Sequence, residues 1–260
     1  GIFDSNYIIE LISENESNVF ANYISTERPD LTSMYLLEGR IAIVVENTQY
    51  VVIIPALFVD FFQTTEDYYQ KVPNVNFTRM IRILAFFISL ITPAIYIAAT
   101  TYNIEIVPDT LLMSIASQRQ GVPFPTVIEL IMMLLMFEIT RETDSRIPSA
   151  IGSSLSIVGA IVLGQAAVAA GVISPITIIV AGITSISGMI TYNTDMVGGI
   201  RWWRIIFLLA ASFMGVFGIV IAGIIFIINV SSIKSFGLPF FTPIAPFYKD
   251  ELDSAIFLTN

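Results

Sequence analysis

The chain has 260 residues, of which 55% are hydrophobic and 13% are charged, and its mean hydropathy is +0.79. Soluble domains carry about 25% charged residues, so this composition indicates a membrane protein. The net charge of −9 argues against nucleic acid as a partner, and the absence of cysteine and histidine removes disulfides, thiol chemistry and the commonest general base.

Residues 1–78 predict a soluble α/β portion, because they carry 11 acidic and only three basic side chains. Apolar residues at helical spacing predict a helix over Tyr7–Ser13. Two β-branched runs, Ile41–Val45 and Tyr50–Ile54, flank a short polar turn and predict a β-hairpin. The chain starts at Gly1, with neither Met nor a signal peptide, which indicates a piece of a longer protein that lacks its N-terminal part.

Residues 79–230 are predicted to form the membrane portion. Ile147–Tyr192 contains 46 residues without a formal charge, more than the roughly 20 that span a bilayer as one helix. Gly171 and Pro175 break this run into two helices, about 149–170 and 175–191. Further apolar helices are predicted at Ile83–Thr100, Val127–Ile139 and Ile205–Val230. The fold class is therefore an α-helical multi-pass membrane protein with about four to five apolar helices, plus an amphipathic or re-entrant segment over Tyr102–Gly121.

The membrane topology stays open at this point. If every apolar segment spans, all three arginine pairs face the cytoplasm, as the positive-inside rule expects, but five spans put the C-terminus outside. If one segment is re-entrant, both ends lie inside and one pair must face out. The pairs are Arg79/Arg82, Arg141/Arg146 and Arg201/Arg204.

Four polar residues are candidates for a pore or a gate. Intramembrane carboxylates are functional-site candidates by default, and Glu129 has two open interpretations: a helix terminus, where the dipole favours an anion, or a pore lining. Glu105 and Asp109 are either exposed loop acids or a vestibule that attracts cations. Gln165 is expected to face protein or water, because an unpaired amide in lipid is costly. Glu138, nine residues from Glu129 and so about 180° around the helix, is interpreted as an interfacial ion pair with Arg141.

Small residues at four-residue spacing predict close helix packing, within one subunit or between subunits. They are Gly152, Ser156, Ala160 and Gly164 in one helix, and Gly215 and Gly218, with Ala211 and Ala222, in the last helix. No nucleophile–base pair, metal cluster or phosphate loop is recognisable in the sequence. We therefore expect no enzymatic activity, no metal and no cofactor.

Several phrases of the chain, in order, resemble one known family. They are Thr26–Asp30 (TERPD), Leu37–Arg40 (LEGR), Glu66–Tyr69 (EDYY), Gly121–Thr126 (GVPFPT), Phe137–Glu142 (FEITRE), Ser156–Pro175 (SIVGAIVLGQAAVAAGVISP) and Ser235–Phe247 (SFGLPFFTPIAPF). Together they resemble the A subunit of the bacterial spore germination receptors, the GerA family. The glycine that is usual in the family's hairpin turn is replaced here around Asn47-Thr48, and the link that commonly resembles REAG is Arg141–Asp144.

The resemblance implies a cytosolic domain at 1–78, a transmembrane domain at 79–230 and a cytosolic tail at 231–260, in a protein of the spore inner membrane. It implies a transporter-like nutrient-sensing B subunit and a lipoprotein C subunit as partners, besides membrane lipid. It further implies a homo-oligomeric ring that forms a nutrient-gated ion channel and releases monovalent cations to start germination. A non-conducting scaffold and a substrate transporter are the alternatives.

Overall fold

The computed structural model describes residues 5–12, 19–144, 159, 162–190 and 194–248. These residues are mostly helical, with a three-stranded and a two-stranded sheet. The helices are α1 (Ser5–Ile12), α2 (Pro29–Leu37), α3 (Val72–Thr101), α4 (Asp109–Gln118), α5 (Thr126–Asp144), α6 (162–169), α7 (Pro175–Ile190) and α8 (Thr194–Ser232). The strands are β1 (Ile24–Thr26), β2 (Ile41–Val44), β3 (Val51–Ile54), β4 (Lys234–Ser235) and β5 (Leu238–Pro239). Short 3-10 helices cover Phe58–Phe62, Thr65–Tyr68 and Ile104–Ile106.

The chain divides into two compact units. Unit 1 contains Gly1–Phe86, Ile190–Trp203 and Ile224–Asn260, and unit 2 contains Phe87–Met189 and Arg204–Gly223. The chain leaves unit 1 after Phe86 and after Trp203 and returns to it at Ile190 and at Ile224, so the two units are not consecutive stretches of sequence.

The predicted hairpin in unit 1 is confirmed: β2 and β3 pair antiparallel, with Ile43 opposite Val52. Asn47 in the turn has a φ of 67°, a left-handed conformation that asparagine adopts more readily than most residues. This explains how the turn forms without glycine. β1 adds a third strand on the other edge of β3, in the order β1-β3-β2, and it was not predicted. Val52 is fully buried against α1.

A second core of unit 1 is aromatic, and it joins parts of the chain that are far apart in sequence. Phe58 packs edge-on against Phe86 and Phe240, with ring centroids 5.7 and 6.1 Å apart. The backbone N–H of Phe58 donates to the carbonyl of Phe240 (2.8 Å), and the Ser235 hydroxyl donates to the carbonyl of Asn22 (2.9 Å). The tail, which carries Pro239, Pro243 and Pro246, therefore packs on the N-terminal portion.

In unit 2, α7 runs antiparallel to α3. Its first turn approaches α3 where the Thr177 and Tyr96 hydroxyls lie 3.2 Å apart, and its last turn brings Gly188 against Ser89. The break predicted between the two apolar helices lies at Gly171, which has a φ of +69°. Such a conformation favours glycine, and it lets the chain reverse between α6 and α7.

α8 is a helical hairpin and not one rod, so the prediction of a single helix over Ile205–Val230 is wrong in this respect. At 1.5 Å per residue, Trp203 and Phe226 would lie about 35 Å apart in a straight helix, yet their ring centroids are 5.1 Å apart. The reversal occurs at Gly215, whose φ of 61° and ψ of −140° are not helical. The two arms pack closely, because a Cβ atom at Gly218 would stand 2.1 Å from the carbonyl oxygen of Ala210.

Two stretches among the described residues are long and apolar enough to cross a membrane: α3, and Met196–Ser232 of α8 when its length is counted through the reversal at Gly215. α7 is a shorter apolar helix. α5 begins one residue before the predicted Val127–Ile139 and extends five residues beyond it, to Asp144. Residues 149–158, 160 and 161 of the predicted helix 149–170 lie outside the described residues.

Candidate functional site

The candidate site is a buried polar cluster around Glu129 in unit 2. Pro125 precedes the first turn of α5, where its fixed φ suits a helix start, and Glu129 follows on that turn. The side chain points into the protein and its residue is 0% exposed. A carboxylate in such a place is costly unless it is paired and hydrogen-bonded, so its partners define the site.

The Glu129 carboxylate lies at the N-terminus of α7. Its Oε2 accepts hydrogen bonds from the backbone N–H of Ser174 (2.9 Å) and from the hydroxyl of Thr177 (3.2 Å). The carbonyl of Ser174 accepts the first N–H groups of α7, so Ser174 occupies the capping position of this helix. The partial positive charge of a helix N-terminus therefore faces the carboxylate.

Arginine and hydroxyl groups complete the cluster. Arg119, which ends α4, places Nη2 at 3.5 Å from Glu129 Oε1, a distance typical of a weak ion pair. The Thr177 hydroxyl also lies 2.8 Å from that of Ser174 and 3.2 Å from that of Tyr96. Four helices, α3, α4, α5 and α7, thus contribute side chains to one buried network.

This arrangement is suited to holding helices together. Glu129 is the acidic member, and the Thr177 hydroxyl that bonds to it also lies within hydrogen-bond distance of the Ser174 and Tyr96 hydroxyls. Within the part of the chain that the structure describes, no group of three or more His, Cys, Asp or Glu side chains could hold a metal ion. The Glu129 charge is compensated by the N-terminus of α7 and by Arg119. These contacts break when the helices separate, so they favour the arrangement in which the helices are packed together.

The other predicted pore residues lie in different surroundings. Glu105, in the 3-10 turn Ile104–Ile106, and Asp109, at the start of α4, are exposed. Gln165 is exposed on α6. Glu138 lies two and a half turns after Glu129 in α5 and is bound by Arg141 Nη2 at 2.7 Å, with Arg204 Nη2 at 3.6 Å.

The predicted packing residues are described only in part. Gly164 of α6 packs against Ile178 of α7, where an added Cβ would stand at 3.5 Å, and against Met133 of α5. Gly215 forms the turn of the α8 hairpin and Gly218 lies between its arms. Gly152, Ser156 and Ala160 lie outside the described residues.

Sequence reasoning missed a second buried network, at the start of α3 in unit 1. Asp67 accepts hydrogen bonds from Arg79 Nε (2.9 Å) and from both terminal nitrogens of Arg82 (2.9 Å each). Asp67 is 2% exposed and Arg79 is 1% exposed. Nearby, Arg40 binds Asp60 in a two-pronged pair. Arg40 and Asp67 lie in the motifs LEGR and EDYY, which also carry the family resemblance, so these motifs were the available signal.

The chain is similar in sequence to known proteins over nearly its whole length. A model of the Bacillus/Clostridium GerA spore germination protein family matches residues 1–259. The chain is 44% identical over 256 residues to spore germination protein KA of Bacillus subtilis (strain 168), which covers 98% of this chain and 47% of that protein. It is 37% identical to spore germination protein GerLA of Bacillus cereus, with 96% of this chain and 51% of that protein covered.

A further relative, 38% identical over 96% of this chain and 49% of its own length, is the uncharacterized membrane protein YfkQ of Bacillus subtilis (strain 168). The chain thus spans about half the length of the curated relatives it matches. No solved structure matches it. With a family model matched over nearly every residue, the chain belongs to the GerA family of spore germination proteins.

Proposed function

We propose that this chain is the membrane part of a germinant receptor A subunit and acts in spore germination as an oligomeric, nutrient-gated channel for monovalent cations. The observation that carries the proposal is the family match over residues 1–259, together with relatives that are named spore germination proteins. The protein would span the spore inner membrane several times. It would assemble as a ring of copies with a nutrient-sensing B subunit and a lipoprotein C subunit.

Glu129 has a specific part in this proposal: it holds the closed arrangement. The carboxylate ties α5 to the N-terminus of α7, and Arg119 adds a weaker tie to α4. A path for ions through this region needs these helices to move apart, which exposes the carboxylate to the path. Glu129 would then both favour the closed state and attract cations in the open one.

The exposed acids Glu105 and Asp109 would form a vestibule that concentrates cations, and exposed Gln165 would face the path or a neighbouring copy. A single negative charge near a channel mouth raises the local cation concentration, and this effect falls with ionic strength. Neutralising the two acids should therefore reduce cation flux most strongly at low salt.

The test is cation efflux from liposomes that carry the full-length protein with its two partner subunits, with and without germinant mixtures. Glu129→Gln should change gating or cation preference, because the amide keeps the size of the side chain but removes its charge. Glu138→Gln is the matched control in the same helix, since Glu138 is partly exposed and paired with Arg141 and Arg204.

Germinant-dependent efflux that changes more in Glu129→Gln than in Glu138→Gln supports the proposed role. Equal and negligible effects of both would contradict it. Complexes that assemble fully and never conduct, in any mixture, would identify the subunit as a scaffold. Saturable uptake of a solute by the subunit alone would identify it as a transporter.

A further inference from the structure

The turn of the α8 hairpin is a built feature and not a frayed point in a helix. Gly215 has a φ of +61°, and a Cβ atom there would stand 2.5 Å from Asn103 Oδ1 and 2.8 Å from Tyr102 Cβ. The reversal leaves the backbone N–H of Val216 without its helical acceptor, and Asn103 Oδ1 accepts it at 3.0 Å. Gly215 thus allows the positive φ of the turn, and Asn103 supplies the hydrogen-bond acceptor for the Val216 N–H.

The chain before and after the hairpin lies together. Residues Ile190–Trp203 and Ile224–Asn260 belong to the same compact unit, which also contains the acidic residues 1–78. Phe20 of that portion packs against Phe226 on the second arm and closely approaches Gly199 on the first. A helix that crossed a membrane once could not return its two ends to one unit.

The surface of the hairpin is suited to lipid. Residues 205–230 contain no charged side chain, and only a third of the most apolar stretch is buried. Phe213 and Phe217, on either side of the turn, are 74% and 64% exposed. Trp202, at the base of the first arm beside Arg201 and Arg204, is also exposed, as is typical of tryptophan at a membrane interface.

We infer that α8 is a membrane hairpin: it enters the lipid bilayer beside Trp202, reverses at Gly215 and returns to the side from which it came, with the exposed apolar surfaces of its arms in lipid. The occupant of its apolar surface is the bilayer. The inference rests on the membrane location in the proposed function, but not on conduction.

The hairpin restricts the membrane topology, which the sequence leaves open. A segment read as one span of 26 residues, Ile205–Val230, reverses the side of everything that follows, whereas a hairpin does not. The tail from Lys234 onward therefore lies on the same side as residues 1–78, as its hydrogen bonds to Asn22 and Phe58 require.

The test uses the absence of cysteine from this chain. In the full-length protein, freed of other cysteines and kept in membrane vesicles of known orientation, single cysteines replace Glu46, Trp202 and Ser232, all exposed. A membrane-impermeant maleimide should label all three from the same side. Lys234→Cys, also exposed, serves as a second reporter if Ser232→Cys does not fold.

Labelling of Trp202→Cys and Ser232→Cys, or Lys234→Cys, from opposite sides would overturn the inference. A fourth variant, Phe213→Cys, tests insertion of the turn: it should not be labelled from the side that labels Glu46→Cys. Labelling of Phe213→Cys from that side would show that the hairpin is not inserted. Because the readout is labelling, these outcomes are independent of whether the complex conducts ions.

Discussion

At the scale of single residues, Asp67 decides whether the start of α3 can keep one buried arginine, Arg79, and one partly buried arginine, Arg82. Its carboxylate bonds to Arg79 and Arg82 at 2.9 Å. Breaking a buried ion pair by removing one partner costs about 3–5 kcal/mol, since it leaves a charge uncompensated. We therefore expect Asp67→Asn to lower the melting temperature of the purified full-length protein strongly. Glu66→Gln is the control, because Glu66 is exposed and 4.0 Å from its nearest cation; a similar loss in both variants would refute the role of Asp67.

The same carboxylate predicts how stability depends on pH. Burial alone would raise the pKa of Asp67, but hydrogen bonds from Arg82 and Arg79 outweigh it and hold the pKa below its ordinary value. A carboxyl whose pKa is lower in the folded state contributes stability above the pKa of the unfolded state, about 3.9, and loses it as pH falls through the folded value. Melting temperatures should therefore fall below about pH 4. This acid-dependent fall should be shallower in Asp67→Asn, and identical curves would contradict the prediction.

At the scale of elements, the α8 hairpin predicts a sharp contrast between two glycines of one helix. Gly215→Ala places a Cβ against Asn103 and Tyr102 in a backbone conformation, φ 61° and ψ −140°, that costs a residue with a side chain about 1–3 kcal/mol before any clash. Gly223→Ala meets open space in helical backbone, where alanine is favoured by roughly 1 kcal/mol. Gly215→Ala should thus lower the melting temperature in detergent, and Gly223→Ala should keep or raise it. Equal effects would show that residue 215 is not in a tight turn.

The elements that the sequence predicted are those whose signal is local. The β2–β3 hairpin, the helix predicted at Tyr7–Ser13 and observed at Ser5–Ile12, and the turn at Gly171 each depend on residue types within a few positions. β1 was missed because three residues, Ile24–Thr26, carry too little alternation to indicate a strand. The α8 reversal was missed because apolar residues continue through Gly215 without a proline or a polar loop. One long apolar helix and two shorter ones joined by a tight turn therefore have the same sequence pattern.

The candidate site was predicted only in part, for a related reason. The lone carboxylate in an apolar helix singled out Glu129, and a helix terminus was one of its two interpretations. Its partners, Arg119, Ser174 and Thr177, lie 10 to 48 positions away along the chain. No spacing rule connects them, because the packing of α4, α5 and α7 brings them together. The same holds for Asp67 and the two arginines on α3.

At the scale of the whole molecule, substitutions at two glycines of the helical region distinguish packing within one subunit from assembly of several subunits. Gly164 packs against Ile178 at 3.5 Å for an added Cβ, whereas nothing lies within 4 Å of such an atom at Gly182 on α7. Gly164→Leu should therefore force α6 away from α7, next to the helix whose N-terminus binds Glu129, and overpacking of this kind costs about 1–3 kcal/mol. Gly182→Leu should leave the folded subunit intact.

The measurement is germinant-dependent cation efflux from liposomes with the complete receptor, alongside the melting temperature of each purified subunit. We expect Gly164→Leu to lose both stability and efflux, because the Glu129 contact depends on the position of α7. If Gly182 faces a neighbouring copy in the proposed ring, Gly182→Leu keeps its melting temperature but loses assembly and efflux together. Full efflux from Gly164→Leu would contradict the link between α7 packing and gating, since a channel that opens normally with α6 displaced cannot depend on the position of α7.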